Sequence, residues 1–339
     1  MEKVKLGVVG VGWFGTELTR AARETGLADV ISCFARSDER RHAFAGEHGC
    51  RAADSLDAML EDPEIEGVLV ASPHATHGPI IDRAASAGKH IFVEKPMTLT
   101  VRSALRAIEV TAAAGVTLQV GHNMRRQPAN RRIKAMLDAG ELGTLLALQG
   151  FYGSAFGFSS ELPAWRRDPV ESPAGGMTAF GAHTVDTFHY FAGPARRVSA
   201  FSKQVAGLLP IEETTAVMIE YESGPVAFFG TSYLVPYTNL LAVYGTSASA
   251  WNEEEGSSLS LQGRDDEKRS RKELEPLDTV ADEMAEFARC IREGGRPETG
   301  GAEGLEVAAV LEAVVESAAS GRAVELTERR APRVDSSVL

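Results

Sequence analysis

Short apolar segments alternate with helix-like segments over the first third of this chain. Each β-branched run is followed by apolar residues at helical spacing, and these helical stretches end near Gly49, Gly88 and Gly115. Such alternation is typical of βαβ units built around a parallel sheet. After a first strand that ends at Val9, the predicted strands cover residues 30–34, 67–71, 90–93 and 117–120.

Strands predominate further along the chain. They follow one another with turns such as Glu222-Ser-Gly224 and no helices between them, which predicts an antiparallel sheet. We therefore predict an α/β domain over residues 1–121 and an α+β domain with an open, mainly antiparallel sheet over residues 122–339. Segment 253–271 and the tail after Thr327 are predicted to be the least ordered. The later predicted strands cover 145–152, 198–205, 214–221, 226–233 and 240–244, and helices return at 278–292 and 304–319.

The first strand runs directly into a glycine-rich turn, Gly10-x-Gly12-x-x-Gly15. Gly10 allows a tight turn, Gly12 lets the backbone approach a pyrophosphate, and Gly15 lets the next helix pack against the strand. The phosphates would then meet the N–H groups at the helix N-terminus. We therefore predict a Rossmann dinucleotide-binding domain over residues 1–121, in which Trp13 and Phe14 also contact the cofactor.

Composition and charge narrow the class of protein. Of 339 residues, 44% are hydrophobic and 24% charged, as in an ordinary globular enzyme with about two domains. A net charge of -12 argues against a nucleic-acid or anionic-membrane partner. The three cysteines have neither a disulfide framework nor a zinc spacing, and we predict no metal. With no signal peptide and no apolar run of membrane-spanning length, the prediction is a cytoplasmic protein.

The end of the second strand indicates which dinucleotide binds. An Asp or Glu normally stands there and binds the ribose 2′-hydroxyl of NAD. This chain has Ala35-Arg36-Ser37 instead. A guanidinium and a hydroxyl suit a 2′-phosphate, so NADP is predicted in preference to NAD. The alternative is that Arg36 is a solvated residue at a strand end.

Five segments together carry a resemblance to a known family. They are GVVGVGWFG at 7–15, SPHATH at 72–77, GKHIFVEKPMTLT at 88–100, AGGMTAFGAHTVD at 174–186 and, more weakly, GHNMRRQPA at 121–129. The chain resembles the Gfo/Idh/MocA oxidoreductases, named for glucose-fructose oxidoreductase, inositol dehydrogenase and a rhizopine-catabolism protein. The resemblance implies an enzyme that uses NAD(P) on sugars, cyclitols and related polyols.

Glu94-Lys95-Pro96 follows a buried strand at the edge where open α/β sheets bind ligands. From there the Lys95 ammonium can hydrogen-bond the reacting hydroxyl and stabilise its alkoxide character. The resemblance implies that Pro96 is cis and orients Lys95. Glu94 is either a cofactor contact or a local hydrogen-bonding residue.

His183 is the better candidate for proton transfer, because imidazole titrates near physiological pH. Asp186 follows one helical turn later on the same face. The resemblance implies that this histidine binds the substrate hydroxyl as acid/base and that Asp186 lines the same pocket. One departure stands out, since many members carry an Asp where this chain has Ala179. The alternatives are a packing histidine or a metal ligand.

Weaker candidates follow other predicted strands, and an ordinary loop would explain each of them. Those expected at the cofactor's ribose and nicotinamide are Ser72, Pro73, His74 and His77. Asn123 and Arg125 follow the strand at 117–120, where Asn123 is expected to meet cofactor and substrate and Arg125 the substrate. Trp165 and Arg166 lie instead in the loop PAWRRDP, where they would cap a polyol by stacking and bidentate hydrogen bonds; the alternative is a packing tryptophan beside a surface arginine.

The predicted function is an NAD(P)-dependent oxidoreductase that interconverts a secondary alcohol and a ketone on a sugar-like substrate, with Lys95 and His183 as catalytic residues. One alternative keeps the cofactor for glycoside hydrolysis through a transient ketone, and the other is a regulatory protein that senses the dinucleotide. An exposed face of a large sheet favours a homodimer or homotetramer formed through the C-terminal sheet.

Overall fold

A computed structural model describes residues 2–160, 162–327 and 329–330. The chain divides into two compact units. The first contains the chain up to Arg126 together with Leu277–Gly304, and the second contains Gln127–Pro276 and the chain from Leu305 onward. None of the described helices is both long and apolar enough to cross a membrane.

The first unit is built on a six-stranded parallel sheet, as predicted. Its strand order, β3-β2-β1-β4-β5-β6, is that of the Rossmann fold. The strands are β1 (Val4–Val9), β2 (Ala28–Phe34), β3 (Arg51–Ala52), β4 (Gly67–Val70), β5 (His90–Glu94) and β6 (Leu118–Gly121). The helices are α1 (Trp13–Glu24), α2 (Asp38–His48), α3 (Leu56–Glu61), α4 (His77–Ser86), α5 (Val101–Ala114) and α8 (Thr279–Glu293).

Helix α8 belongs to the first unit although it comes late in the chain. Its apolar face packs into the core of the parallel sheet, where the ring centroids of Phe287 and Phe92 are 5.9 Å apart. Arg126, whose side chain is 3% exposed, donates to Asp282 of α8 at 2.7 Å and also to Glu286. The structural division therefore differs from the predicted one at residue 121. The core of the first unit is completed by a helix that follows the second sheet in the sequence. Local sequence patterns do not predict that contact.

The second unit is built on a nine-stranded sheet in the order β14-β13-β12-β11-β7-β10-β9-β8-β15. The mainly antiparallel prediction is confirmed, with one parallel pair between β7 and β10. The strands are β7 (Leu145–Gly153), β8 (Ala195–Lys203), β9 (Thr214–Tyr221), β10 (Val226–Ser232), β11 (Thr238–Gly245), β12 (Ala248–Glu253), β13 (Ser258–Gly263), β14 (Ser270–Glu273) and β15 (Val324–Glu325). The helices are α6 (Pro128–Asp138), α7 (Ala182–Ala192) and α9 (Gly301–Ser320), which begins in the first unit.

Segment 253–271, predicted to be among the least ordered, instead contributes the paired strands β13 and β14. Of the tail after Thr327, only Arg329 and Arg330 lie among the described residues. Buried and exposed side chains alternate along β9, where Val217 and Ile219 are buried and Met218 between them is 61% exposed. Phe201 of β8 and Phe228 of β10 are exposed on the same face, so an apolar patch lies open on these three strands.

Candidate active site

The glycine turn after β1 has the close approaches that the motif requires. Gly10 has a φ of +101°, and a Cβ atom there would lie 2.3 Å from the carbonyl oxygen of Ala71. A Cβ atom on Gly15 would lie 2.1 Å from the Gly10 carbonyl oxygen. Gly12 differs, because a Cβ atom there would meet no atom within 4 Å. The first and third glycines are thus required by the protein itself, and the second borders open space.

That open space lies at the N-terminus of α1. Gly12 is the N-cap of α1, and no side chain caps this helix end. The first N–H groups of α1 therefore remain for a ligand, and the helix dipole favours an anion there. Trp13 is 79% exposed and Phe14 half-buried, with their ring centroids 5.4 Å apart. Both side chains lie beside the turn.

The predicted ribose-binding residues also lie next to this turn. The Gly10 N–H donates to the Phe34 carbonyl at 2.9 Å, which joins the turn to the end of β2. Arg36 follows two residues later and is exposed to solvent. Ser37 has a structural task as well, because its hydroxyl caps α2 by accepting from the Arg40 N–H at 3.3 Å.

His77 joins the loops that follow two neighbouring strands. It is fully buried, and its Nδ1 and Nε2 atoms each lie 2.9 Å from a carbonyl oxygen, of Pro96 and Ser72 respectively. Burial lowers the pKa of His77, although both carbonyls oppose that shift. Neither ring nitrogen is therefore left for a cofactor, and we assign His77 to loop positioning. His74 is also buried, with its ring centroid 5.8 Å from that of His77.

Lys95 stands at the carboxyl end of β5, in the loop that His77 holds. The Lys95-Pro96 peptide bond is cis. Lys95 is half-buried, and its N–H donates to the Glu94 carboxylate at 3.3 Å. Glu94 is buried and packs over Gly121, where a Cβ atom would lie 2.5 Å from its Oε1 atom. This placement matches the local role that the sequence left open for Glu94.

Residues after β6 continue the same edge of the sheet. Asn123 is half-buried, and its side-chain amide donates to the Thr279 hydroxyl at 2.9 Å. Arg125 is buried within the short helix Asn123–Arg126. Asn123 thus ties the strand end to α8 of the same unit. Sequence patterns alone do not predict that partner.

His183 lies in the second unit, directly after a stretch of irregular backbone. Ala174 has a φ of 56°, and Met177–Gly181 forms a π-helix, a conformation frequent at functional sites. Helix α7 then begins at Ala182, so His183 occupies its first turn and is half-buried. Asp186 follows on the same face and is 1% exposed.

Ala179, where the chain departs from the pattern of the family it resembles, is buried in the second unit. It is 3% exposed and packs in an apolar cluster with Leu162, Leu209, Ile211 and Tyr233. A carboxylate among these apolar side chains would lose its hydration, which costs free energy unless a hydrogen bond or an ion pair replaces it. In this chain the position contributes to packing.

Trp165 and Arg166 lie together on the short helix Ala164–Arg167 and are both half-buried. The guanidinium carbon of Arg166 lies 4.5 Å from the centroid of the Trp165 ring. Burial raises the pKa of Tyr233, and the positive charge of the nearby Arg166 opposes that shift. Arg166 therefore already stacks on Trp165 and lies near a second aromatic side chain.

Three aromatic residues beside His183 were not predicted from the sequence. The Tyr152 ring stacks on Phe180 with a centroid distance of 4.7 Å and lies 6.3 Å from the His183 ring. Tyr237 packs almost perpendicular to Tyr152 at 6.2 Å. Phe180 belongs to the histidine motif and was available as a signal, whereas Tyr152 and Tyr237 come from β7 and the loop before β11.

Comparison with known proteins identifies the family to which the chain belongs. Residues 4–122 match a family model described as the oxidoreductase family with an NAD-binding Rossmann fold, and residues 130–251 match the GFO/IDH/MocA C-terminal domain. Within the described residues, no group of three His, Cys, Asp or Glu side chains is arranged to hold a metal ion.

Similar proteins span nearly the whole chain. A 1,5-anhydro-D-fructose reductase from Ensifer adhaerens is 27% identical, with 94% of this chain and 98% of that protein covered. A D-apiose dehydrogenase from Paraburkholderia graminis is 27% identical, with 99% and 94% covered. A crystal structure of an oxidoreductase from Desulfitobacterium hafniense, provisionally described as NADPH-dependent, superposes with a TM-score of 0.91 at 27% identity, covering 98% of this chain and 100% of that one.

The glycine turn, the cis Lys95-Pro96 segment and the antiparallel second sheet thus occur together in a chain whose two matched regions account for more than half of its length. We conclude that this protein belongs to the Gfo/Idh/MocA family of NAD(P)-dependent oxidoreductases.

Proposed function

We propose that the protein interconverts a secondary alcohol and a ketone on a sugar, cyclitol or related polyol. The observation that carries this proposal is the position of Lys95, at the strand edge that holds the uncapped glycine turn. The relatives described above are named as a reductase and a dehydrogenase of sugars. Those names favour neither glycoside hydrolysis nor cofactor sensing.

A nicotinamide dinucleotide, when bound, supplies the hydride acceptor or donor. The protein's own part is to bind, orient and exchange a proton. Gly10, Gly12 and Gly15 shape the phosphate site, with Trp13 and Phe14 beside it. Arg36 and Ser37 are proposed at the 2′-phosphate, and Ser72, Pro73 and Asn123 at the rest of the cofactor.

Lys95 is proposed to polarise the reacting oxygen. Its ammonium stabilises the alkoxide character that develops on a hydroxyl as the carbon beside it is oxidised. His77 contributes indirectly, because it fixes the Pro96 carbonyl and hence the loop that carries Lys95. Arg125, Trp165 and Arg166 remain proposed substrate contacts.

His183 is proposed to take the hydroxyl proton, or to return it in the reverse direction. It lies in the first turn of α7, and Asp186 lies one turn further along the same face. With Ala179 in place of a second carboxylate, Asp186 is the acidic residue left to tune this histidine.

Kinetics of single and double variants test the proposal. Lys95→Ala and His183→Ala are each expected to lower kcat by about a hundredfold or more, with little change in cofactor affinity. Because both groups are proposed to serve one oxygen, the double variant should be scarcely worse than the poorer single variant. A His183→Ala enzyme with near-normal kcat on the best sugar of a screen would refute the mechanism.

Cofactor preference is tested separately. NADP is expected to give the higher kcat/KM, because Ala35 offers no carboxylate to a ribose while Arg36 offers a charge to a phosphate. Ala35→Asp should reverse the preference. Equal or better turnover of the unmodified protein with NAD would overturn this assignment.

The open face of the second sheet is proposed to form a homo-oligomer. Phe201, Met218 and Phe228 are 70%, 61% and 43% exposed on three neighbouring strands, and such a patch marks an interaction surface. Sedimentation should show a dimer or tetramer, and Met218→Glu should dissociate it. Because its cysteines carry free thiols, as is usual in a reducing compartment, we expect the protein to work in the cytoplasm.

A further inference from the structure

His77 joins two loops at the edge of the parallel sheet where the cofactor is proposed to bind. It is the first residue of α4, and its imidazole is fully buried. Its Nδ1 atom lies 2.9 Å from the Pro96 carbonyl oxygen, in the loop after β5. Its Nε2 atom lies 2.9 Å from the Ser72 carbonyl oxygen, in the loop after β4. Both are ordinary hydrogen-bond distances, so the ring connects the two loops.

The number of protons on the His77 ring decides how many of these hydrogen bonds can form. A carbonyl oxygen only accepts, whereas a neutral imidazole has one N–H donor and an imidazolium has two. The neutral ring therefore donates to one carbonyl and turns a lone pair towards the other. The protonated ring donates to both carbonyls at the observed distances. The geometry around His77 thus suits an imidazolium that holds both loops.

Several features of the free protein oppose a positive charge on this ring. Burial lowers the pKa of His77, and the Lys95 ammonium lowers it further, whereas the two carbonyls raise it. The N-terminus of α4 also disfavours a cation. His74, in the short helix before α4, is a second titratable group beside the ring, at a centroid distance of 5.8 Å. Without a nearby anion, the neutral ring with one donated hydrogen bond is therefore favoured.

The proposed phosphate site supplies a place for such an anion. A Cβ atom on Gly10 would lie 2.3 Å from the Ala71 carbonyl oxygen and 2.9 Å from the Ser72 nitrogen. The glycine turn therefore touches the same loop whose Ser72 carbonyl meets His77. A pyrophosphate at this turn carries two negative charges, which stabilise a cation buried nearby. Cofactor binding and protonation of His77 should therefore favour each other.

We propose that His77 is a positioning residue that takes up a proton from solvent when the dinucleotide binds, and that the imidazolium then fixes Lys95 by donating to both loops. In the free protein the neutral ring holds only one of the two loops. The added proton completes the second hydrogen bond, beside the peptide that carries Lys95. This inference rests on the proposed phosphate site and deepens it, because it couples cofactor binding to the placement of the proposed catalytic lysine.

Titration calorimetry of NADP binding to the full chain measures this proton. At one pH, the binding enthalpies in buffers of different ionisation enthalpy give the number of protons taken up. The wild type should take up more protons than His77→Gln, because the glutamine amide does not titrate. Comparison at equal pH cancels the titration of the NADP 2′-phosphate, whose pKa is about 6. From about pH 6 to about pH 8, the wild type should lose about threefold to tenfold more affinity than His77→Gln, within the limit of about tenfold per pH unit for one linked proton.

Two further variants separate this role from a general loss of packing. His90→Gln is the matched control, because burial also lowers the pKa of His90. His90 begins β5 at the opposite edge of the sheet, and its Nδ1 atom accepts from the Thr117 N–H at 3.0 Å. This variant should keep the proton uptake of the wild type. Lys95→Met tests the link to the lysine without cofactor: the NMR titration midpoint of His77 in the free protein should move to higher pH, because the Lys95 charge opposes protonation. Thermal midpoints should show that all variants fold.

Equal proton uptake by the wild type and His77→Gln would overturn the inference. An unchanged His77 midpoint in Lys95→Met would do so as well, as would failure of the wild type to bind NADP. None of these measurements involves turnover, so the two proposals fail separately. Proton uptake at His77 without turnover of any sugar would refute the proposed reaction and keep this inference. Turnover with equal proton uptake would do the opposite.

Discussion

Three glycines around helix α1 should respond differently to the same substitution by alanine. At Gly12 the backbone is extended, with φ −84° and ψ −174°, and a Cβ atom would meet nothing within 4 Å. In Gly12→Ala, loss of the glycine N-cap destabilises the helix, whereas the less flexible unfolded chain stabilises the fold. The two effects nearly cancel, so the free energy of unfolding should change by no more than about 1 kcal/mol. Cofactor affinity should nevertheless fall at least about tenfold, or about 1.4 kcal/mol, because the methyl group occupies the proposed phosphate space.

Gly10 and Gly26 provide the matched controls. Gly26 has a φ of +69° and open space around its Cβ position, so Gly26→Ala should cost about 1–2 kcal/mol of stability and leave NADPH binding intact. Gly10→Ala causes a similar backbone strain and also places a Cβ atom 2.3 Å from the Ala71 carbonyl oxygen. The free energy of unfolding should therefore fall by about 2–5 kcal/mol. Thermal unfolding without cofactor and NADPH fluorescence titration measure the two effects. A Gly12→Ala protein that binds NADPH as tightly as the wild type would refute the phosphate assignment.

Two further predictions concern buried charges. Burial raises the pKa of Glu213, but the N–H groups of residues 205–209 donate to its carboxylate and bring the pKa down to about 2. This contribution to stability is complete above the ordinary pKa of 4.5 and is lost as the pH falls towards 2. Between pH 4.5 and 2, the thermal midpoint of the wild type should therefore drop more steeply than that of Glu213→Gln. Arg126→Met should destabilise the first unit by about 3–5 kcal/mol, because it removes the buried positive charge beside Glu283, whose side chain is 1% exposed, and beside the partly exposed Asp282 and Glu286. Arg106→Met, at a pair exposed by 57% and 70%, should cost under about 1 kcal/mol by urea titration.

Much of the fold was predictable because it is locally encoded. The parallel sheet follows from βαβ spacing, and β9 was predicted at its observed bounds. Strand β14 was missed because its four residues are polar and exposed, and β12 and β13 because polar residues such as Asn252 and Ser260 occupy buried positions, which leaves little apolar alternation. The membership of α8 in the first unit could not be read locally, since it depends on Arg126 and its partners 156 and 160 residues away.

The residues of the candidate site also fall into two groups, those that the sequence predicts and those that it does not. Residues in contiguous motifs, such as Lys95 and His183, were proposed from the sequence and remain proposals. Tyr152 and Tyr237 were not found, because they meet only through the pairing of β7 with β11, which places Tyr152 opposite Asn239. His77 was read as a cofactor contact from its place in the motif, and only its two carbonyl partners indicate a positioning role.

The late arrival of α8 has a consequence for synthesis on the ribosome. When Arg126 is added to the nascent chain, its partner Asp282 is still 156 residues from being made. At ordinary elongation rates that interval lasts roughly 10–30 s. During this interval the nascent Rossmann sheet exposes the apolar surface that Met284 and Phe287 later cover. Arg126, which is buried in the finished protein, is exposed as well. The cofactor-binding unit is therefore the first to begin folding but cannot finish until most of the chain exists, and a chain truncated after the second sheet should need a chaperone to stay in solution.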